Sequence, residues 1–277
     1  MPGVTRANTG YPRAVRFFWE VCKRAFRRHL TYRAATVAGL VTNMFFGLLR
    51  ASILLALLGD QTSVNGLTAR DVVTYTGLTQ AVIAFLSLFG SWELMNSVYR
   101  GEIASDLLKP MGLFTFWLAQ DVGRAMTALL FRGLTIMVIY ALAYRIVIPH
   151  SLEQWLALAL SLILGLLVSF AFRFNVNLIA FWTADARGIG RFCFIFMMFA
   201  SGFLMPLRFF PDWLRTALEF TPFPSMVNTV IEIDLGKLEG FALLLALVKQ
   251  GLWVIALVVL AQLLLVRGSR RLTILGG

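Results

Sequence analysis

Arg100, Glu102, Asp106 and Lys109 lie close together in the stretch YRGEIASDLLKPMG at residues 99–112, between two long apolar runs. Glu102 and Asp106 are one helical turn apart and share a face, and Ile103 and Leu107 form an apolar edge beside them. Gly101 opens this element, Leu108 extends its apolar edge, and Pro110 ends it. This is the chemistry of docking: an apolar edge enters a partner's cleft and ion pairs surround it. The competing reading is a solvated loop with ordinary charges.

A second group interrupts the apolar runs themselves. Asp121 and Arg124 are three residues apart, close enough on a helix to pair, and a structural pair is favoured over contact with a cargo. Arg50 and Arg132 would line a path or hold lipid headgroups, with no sequence feature choosing between the two. Asn43 and Gln80 suit hydrogen bonds between helices, while Glu93 and Lys249 lie near segment ends and reach an interface. Charges inside a bilayer cost several kcal/mol, about 3 on insertion scales, so they pair, snorkel or face water.

Catalytic constellations are missing from the sequence. It has no G-x-x-x-x-G-K-[ST] loop for nucleotide phosphates, no H-E-x-x-H and no G-x-S-x-G. With His29 and His150 as the only histidines, a zinc site is not expected. Cys22 and Cys193 read as small buried hydrophobes rather than a disulfide or redox pair. No resident cofactor is expected, and the chain is read as a non-enzyme.

The elements that carry these residues follow from composition. The 277 residues are 59% hydrophobic and 14% charged, with a mean hydropathy of +0.78. A soluble domain needs more polar surface than this. Runs at about 34–58, 74–98, 114–140, 154–177, 192–210 and 241–266 each read as a membrane crossing, because about 20 apolar residues of helix span the hydrocarbon. The expectation is an all-α polytopic membrane protein with six transmembrane helices in one domain over 34–266.

The net charge of +11 is distributed as a membrane protein distributes it, and no nucleic-acid partner is implied. With six crossings, sixteen cations fall on one side, including Arg24, Arg100, Arg173, Arg191 and Arg271, and five on the other: Arg70, Arg145, Arg208, Arg215 and Lys237. Both termini are therefore expected in the cytoplasm. Residues 1–33 begin with a poorly ordered stretch to about residue 12. An amphipathic helix follows, with Val15, Phe18, Trp19, Cys22 and Phe26 opposite its arginines, placed at the lipid interface rather than left as a plain basic flank. The segment 205–238 carries Pro206, Pro211, Trp213 and Pro222. It reads as two short helices, one after Pro211 and one from Pro224 toward Ile233, capping the outer side, against one plain surface helix. Residues 267–277 form a basic tail.

The order of these parts resembles the ABC-2 type permeases, the membrane subunits of bacterial ATP-binding-cassette transporters, in the branch with a separately encoded ATPase. GEIASDLLKPMG, FW with GIGR, SGFLMPLRFFPDWLRTALEFTPF and the terminal GG carry the resemblance, which covers 13–277. It implies a type V exporter-like fold with an interfacial helix, a coupling element at 99–112 and an external cap. It further implies two ATPase subunits using ATP and Mg, a second permease subunit, identical or related, surrounding membrane lipids and a place in the bacterial inner membrane. The function so implied is an exporter permease; an ATP-independent secondary transporter and a membrane scaffold are the alternatives.

Overall fold

A computed structural model describes residues 11–31, 33–88 and 92–271. The expectations for residues 1–10 and for the terminal GG lie outside the described residues. Among those described, the chain forms twelve α-helices and one short hairpin.

Four helices are long and apolar enough to cross a membrane, not six. The first is α2 (Arg33–Leu58). The second is α6 (Leu113–Ala128), continuous through a π turn at Leu129–Gly133 with α7 (Leu134–Ala143). The others are α8 (Leu152–Leu178), extended by a 3₁₀ turn at Ile179–Phe181, and α12 (Gly240–Ser269). The expected crossings at 74–98 and 192–210 are corrected. In their place stand α3 (Ala69–Leu86), with α4 (Glu93–Tyr99) after it, and α9 (Arg187–Ala200). The second run is broken at Ser87, which takes a left-handed conformation at φ 56° and terminates α3. The fifth is a helix of 14 residues, about 21 Å long against a hydrocarbon layer of about 30 Å.

The position of α3 explains why hydropathy misreads it. From Asp71 to Leu86 every residue is buried, including Thr74, Thr76, Thr79 and Gln80. It runs antiparallel to α2 and to α6–α7 through the interior, covered by neighbouring helices instead of lipid. Leu78, Val82, Phe85 and Leu86 pack with Leu158 and Leu166 of α8, Leu257 of α12 and Val230 and Ile231 of α11 (Asn228–Asp234). Its start is built locally. Strands β1 (Ser63–Val64) and β2 (Leu67–Thr68) pair antiparallel across Asn65–Gly66, both at positive φ, as a two-residue hairpin requires. Thr68 then caps the helix in a reciprocal box with Asp71. By contrast, α2 leaves Val37, Val41, Phe45, Ile53 and Leu57 exposed, an apolar face available to lipid.

Helix α1 (Tyr11–Thr31) lies on α6. Cys22 is buried in that contact, whereas Val15 and Trp19 of its apolar face stay exposed. The approach is close because position 123 lacks a side chain: a Cβ there would stand 2.3 Å from the Cys22 carbonyl oxygen and 2.8 Å from Ala25. Thr127 Oγ1 donates to the Phe26 carbonyl one turn further on. Gly123→Val should therefore separate α1 from α6 and destabilise the protein by about 1–3 kcal/mol, read as a lower thermal midpoint in detergent. Gly188→Ala, with open space around it, should leave the midpoint unchanged.

Candidate functional site

The polar residues gather at the two ends of the bundle. At the first end, Asp121 of α6 is buried between two guanidinium groups. Arg124 Nε donates to its Oδ1 at 2.9 Å, and Arg173 of α8 donates to Oδ2 at 2.7 Å and to Oδ1 at 3.2 Å. Two cations face one anion, and the end of α3 supplies the balance. Arg124 also donates to the carbonyls of Ala84 and Phe85 at 2.9 and 2.8 Å. These are acceptors of the last turn, which the helix itself leaves unpaired and which carry its negative dipole end. Arg173 reaches Ser169 Oγ at 3.4 Å, and Ser169 in turn donates to the Leu86 carbonyl at 3.1 Å. One carboxylate thus ties α3, α6 and α8 together.

Around this knot the end is basic. A recess of about 260 Å³ is lined by His29, Thr36, Arg124, Thr127 and Arg132. Burial, then the Arg124 and Arg28 charges, hold His29 below its ordinary value. Arg28 of α1 pairs with Glu93 of α4 at 3.0 Å, both exposed.

The segment 99–112 sits at the same end. Gly101, at φ 73°, turns the chain between α4 and the short α5 (Ile103–Leu107). Ile103 points inward, 1% exposed, among Leu94, Leu113, Phe174 and Phe181. Asp106 is also buried and is held by Lys109, whose ammonium stands 3.6 Å from the Phe116 ring centre. Glu102 and Pro110 are exposed. The apolar edge that faces outward is Leu107, 41% exposed, with Leu108, 87% exposed. Trp92, just before α4, packs edge-on against Phe194 of α9 at 5.0 Å. It lies so near Gly190 that a Cβ there would meet its ring at 2.3 Å.

At the second end a cap follows α9: a 3₁₀ turn at Leu207–Phe209, α10 (Asp212–Glu219) and α11. Pro206 and Pro211 stand at the starts of the turn and of α10; Pro222 lies between α10 and α11, and Trp213 projects outward, 72% exposed. Tyr75 of α3 donates to the Gly202 carbonyl at 2.5 Å, and Asn228 N–H donates to Ser201 at 3.0 Å. Arg50 donates to the carbonyls of Phe203 and Leu204, its guanidinium 4.4 Å from the Phe203 ring centre. Arg208 pairs with Glu232 at 2.7 Å and Lys237 with Asp71 at 3.0 Å. Asp234 is buried at the end of α11, and its Oδ2 has no hydrogen-bond partner.

Residues 43–276 match the family model of ABC-2 family transporter proteins. The chain belongs to that family. A comparison with curated proteins gives no match. This ABC-2 family member is a multi-pass membrane permease, a transport subunit and not an enzyme. Membership implies a partner ATPase. Among the described residues no group of three or more His, Cys, Asp and Glu could hold a metal ion.

The residues expected to matter are dispersed across the permease. Asp121 and Arg124 meet, and their third partner is Arg173, counted from sequence only among the cations of one side because 52 positions separate it from Asp121. Asn43 donates to the Gln80 carbonyl at 3.3 Å, joining α2 to α3. Arg132 lies in the π turn, facing Gly39 of α2, far along the bundle from Arg50. Asp234 carried no sequence signal, since only the fold buries it.

Asp121→Ala strands two buried guanidiniums and should cost about 3–5 kcal/mol. Asp121→Ala with Arg173→Met should recover part of that loss, measured by thermal unfolding as a double-mutant cycle. Burial pushes the Asp234 carboxyl up to about 7 from 3.8. The folded protein therefore keeps a proton that the unfolded chain releases, so stability is highest at low pH and falls as pH rises from about 4 to about 7. Asp234→Asn should match wild type near pH 4 and exceed it at pH 8, by as much as about 4 kcal/mol.

Proposed function

We propose that this ABC-2 permease is the membrane subunit of an exporter whose partner ATPase docks on the segment 99–112. The observation that supports the docking role is the outward pair Leu107–Leu108, bordered by exposed Glu102 and Arg100 and carried on a helix that Ile103 and the Asp106–Lys109 pair anchor to the body. Exposed leucines in a polar surround are costly in water and suited to a partner's cleft. ATP and Mg belong to that partner, because this chain has no phosphate-binding loop.

The charges support the orientation. Arg28 of α1 meets Glu93 shortly before segment 99–112, and Arg267, Arg270 and Arg271 flank Gly268, which lies on Phe181 in the cluster that holds Ile103. Cations concentrated at one end of a membrane protein mark its cytoplasmic side, so both ends of the described chain and the docking segment face the ATPase in the cytoplasm of a bacterial inner membrane. A second permease subunit completes the unit. Its support is the stripe Phe192, Ile195, Phe196 and Phe199 on α9, an exposed face on a helix shorter than the lipid layer it would otherwise meet. The working assembly is then two permeases with two ATPases, and the exported molecule is apolar or amphipathic, since the interior is mostly apolar.

Leu107→Asp with Leu108→Asp tests the docking. Each leucine buried in a complex contributes about 1.5–3 kcal/mol, so the pair should weaken co-purification of the ATPase by at least about tenfold. Thermal stability of the isolated permease should stay unchanged, because both side chains are exposed. Undiminished docking in the double variant would remove the proposed role of 99–112.

A further inference from the structure

At the capped end a lateral cleft of about 330 Å³ opens between α7 and α8, within the size range of small-molecule sites, about 300–1,000 Å³. Its floor is Leu78, Ala81 and Val82 of α3, with Met137 and Leu158 on its sides. Val138 and Trp155 at its edge are half exposed, so the entrance faces sideways into the apolar surroundings of the bundle. One charged group lines it. Asp234, only 5% exposed, has an Oδ2 with no hydrogen-bond partner.

The nearby cations are already committed. Lys237 holds Asp71 and Arg208 holds Glu232, while Arg70 donates twice to the Ile146 carbonyl. None of the ion pairs among the described residues includes Asp234. Gln154 fixes α11 through the backbone carbonyls of Ile233 and Asp234, both at 2.9 Å, and leaves Oδ2 of the carboxyl group without a donor. A buried acceptor without a donor in an apolar wall is costly, and the fold gains no contact from it. An ammonium group supplies both the missing donor and the opposing charge.

We propose that this cleft binds a single-tailed amphiphile carrying one amine, its apolar body against α3 and α8 and its N–H group donating to Asp234. The proposal rests on the exporter reading only in taking this ligand as cargo; binding itself requires no ATPase.

The test uses the whole permease in nanodiscs of zwitterionic lipid at pH 8, where the Asp234 carboxyl group is ionised, with dodecylamine as probe and dodecanol as the uncharged control, by titration calorimetry. Dodecylamine should bind wild type at least tenfold more tightly than Asp234→Asn, and dodecanol should bind the two alike. Met137→Trp, which fills the cleft while keeping the carboxyl group, should lose both ligands. The same preference should appear as a larger upward shift of the wild-type thermal midpoint with dodecylamine than with dodecanol. Equal dodecylamine affinity in wild type and Asp234→Asn overturns the proposal, as does full binding to Met137→Trp. Binding without ATP-driven export in vesicles that contain the ATPase would leave the site standing and count against the exporter reading for this ligand.

Discussion

A single carboxylate holds the interior together. Asp121 neutralises Arg173 and part of Arg124 in the interior of the bundle, and the last carbonyls of α3 take the remaining charge. Packing cannot replace this, because helices in lipid gain little from apolar contact that lipid tails would not also provide. The direction and depth of α3 are therefore set by charge at one end and by the Thr68–Asp71 cap with Lys237 at the other. Between those anchors the helix carries buried Thr74, Thr76 and Thr79, whose hydroxyls donate to its own backbone carbonyls.

That arrangement explains what was legible in the sequence. The four long helices announce themselves because their apolar runs, despite a few charges, are long enough to span the hydrocarbon. Hydropathy cannot distinguish burial in lipid from burial in protein, so α3 looked like a crossing although its neighbours are helices. The left-handed residue at Ser87 has no compositional mark, unlike a glycine, and it divides an apparently continuous run. Asp121 and Arg124 were readable from spacing on one helix. Arg173, Glu93 with Arg28, and Lys237 with Asp71 depend on distant parts of the chain meeting.

The segment 99–112 shows the same limit on a smaller scale. Its charges and apolar residues stand out from sequence alone, but helical spacing did not reveal which of them the body would claim. Ile103 and Asp106 turn inward, and the outward edge moves to Leu107 and Leu108. The local pattern identified the element; the body beneath it chose the face.

The indole of Trp92 joins two parts of the permease that are distant in sequence. It is wedged against the backbone at Gly190 and the ring of Phe194, leaving no slack between the start of α4 and the first turns of α9. The two helices therefore share one packed aromatic contact. Helix α9 is short and stiff, and its far end is fastened through Ser201 and Gly202 to Asn228 and Tyr75. The result is a short helix held at both ends, by ring packing at one and by hydrogen bonds at the other.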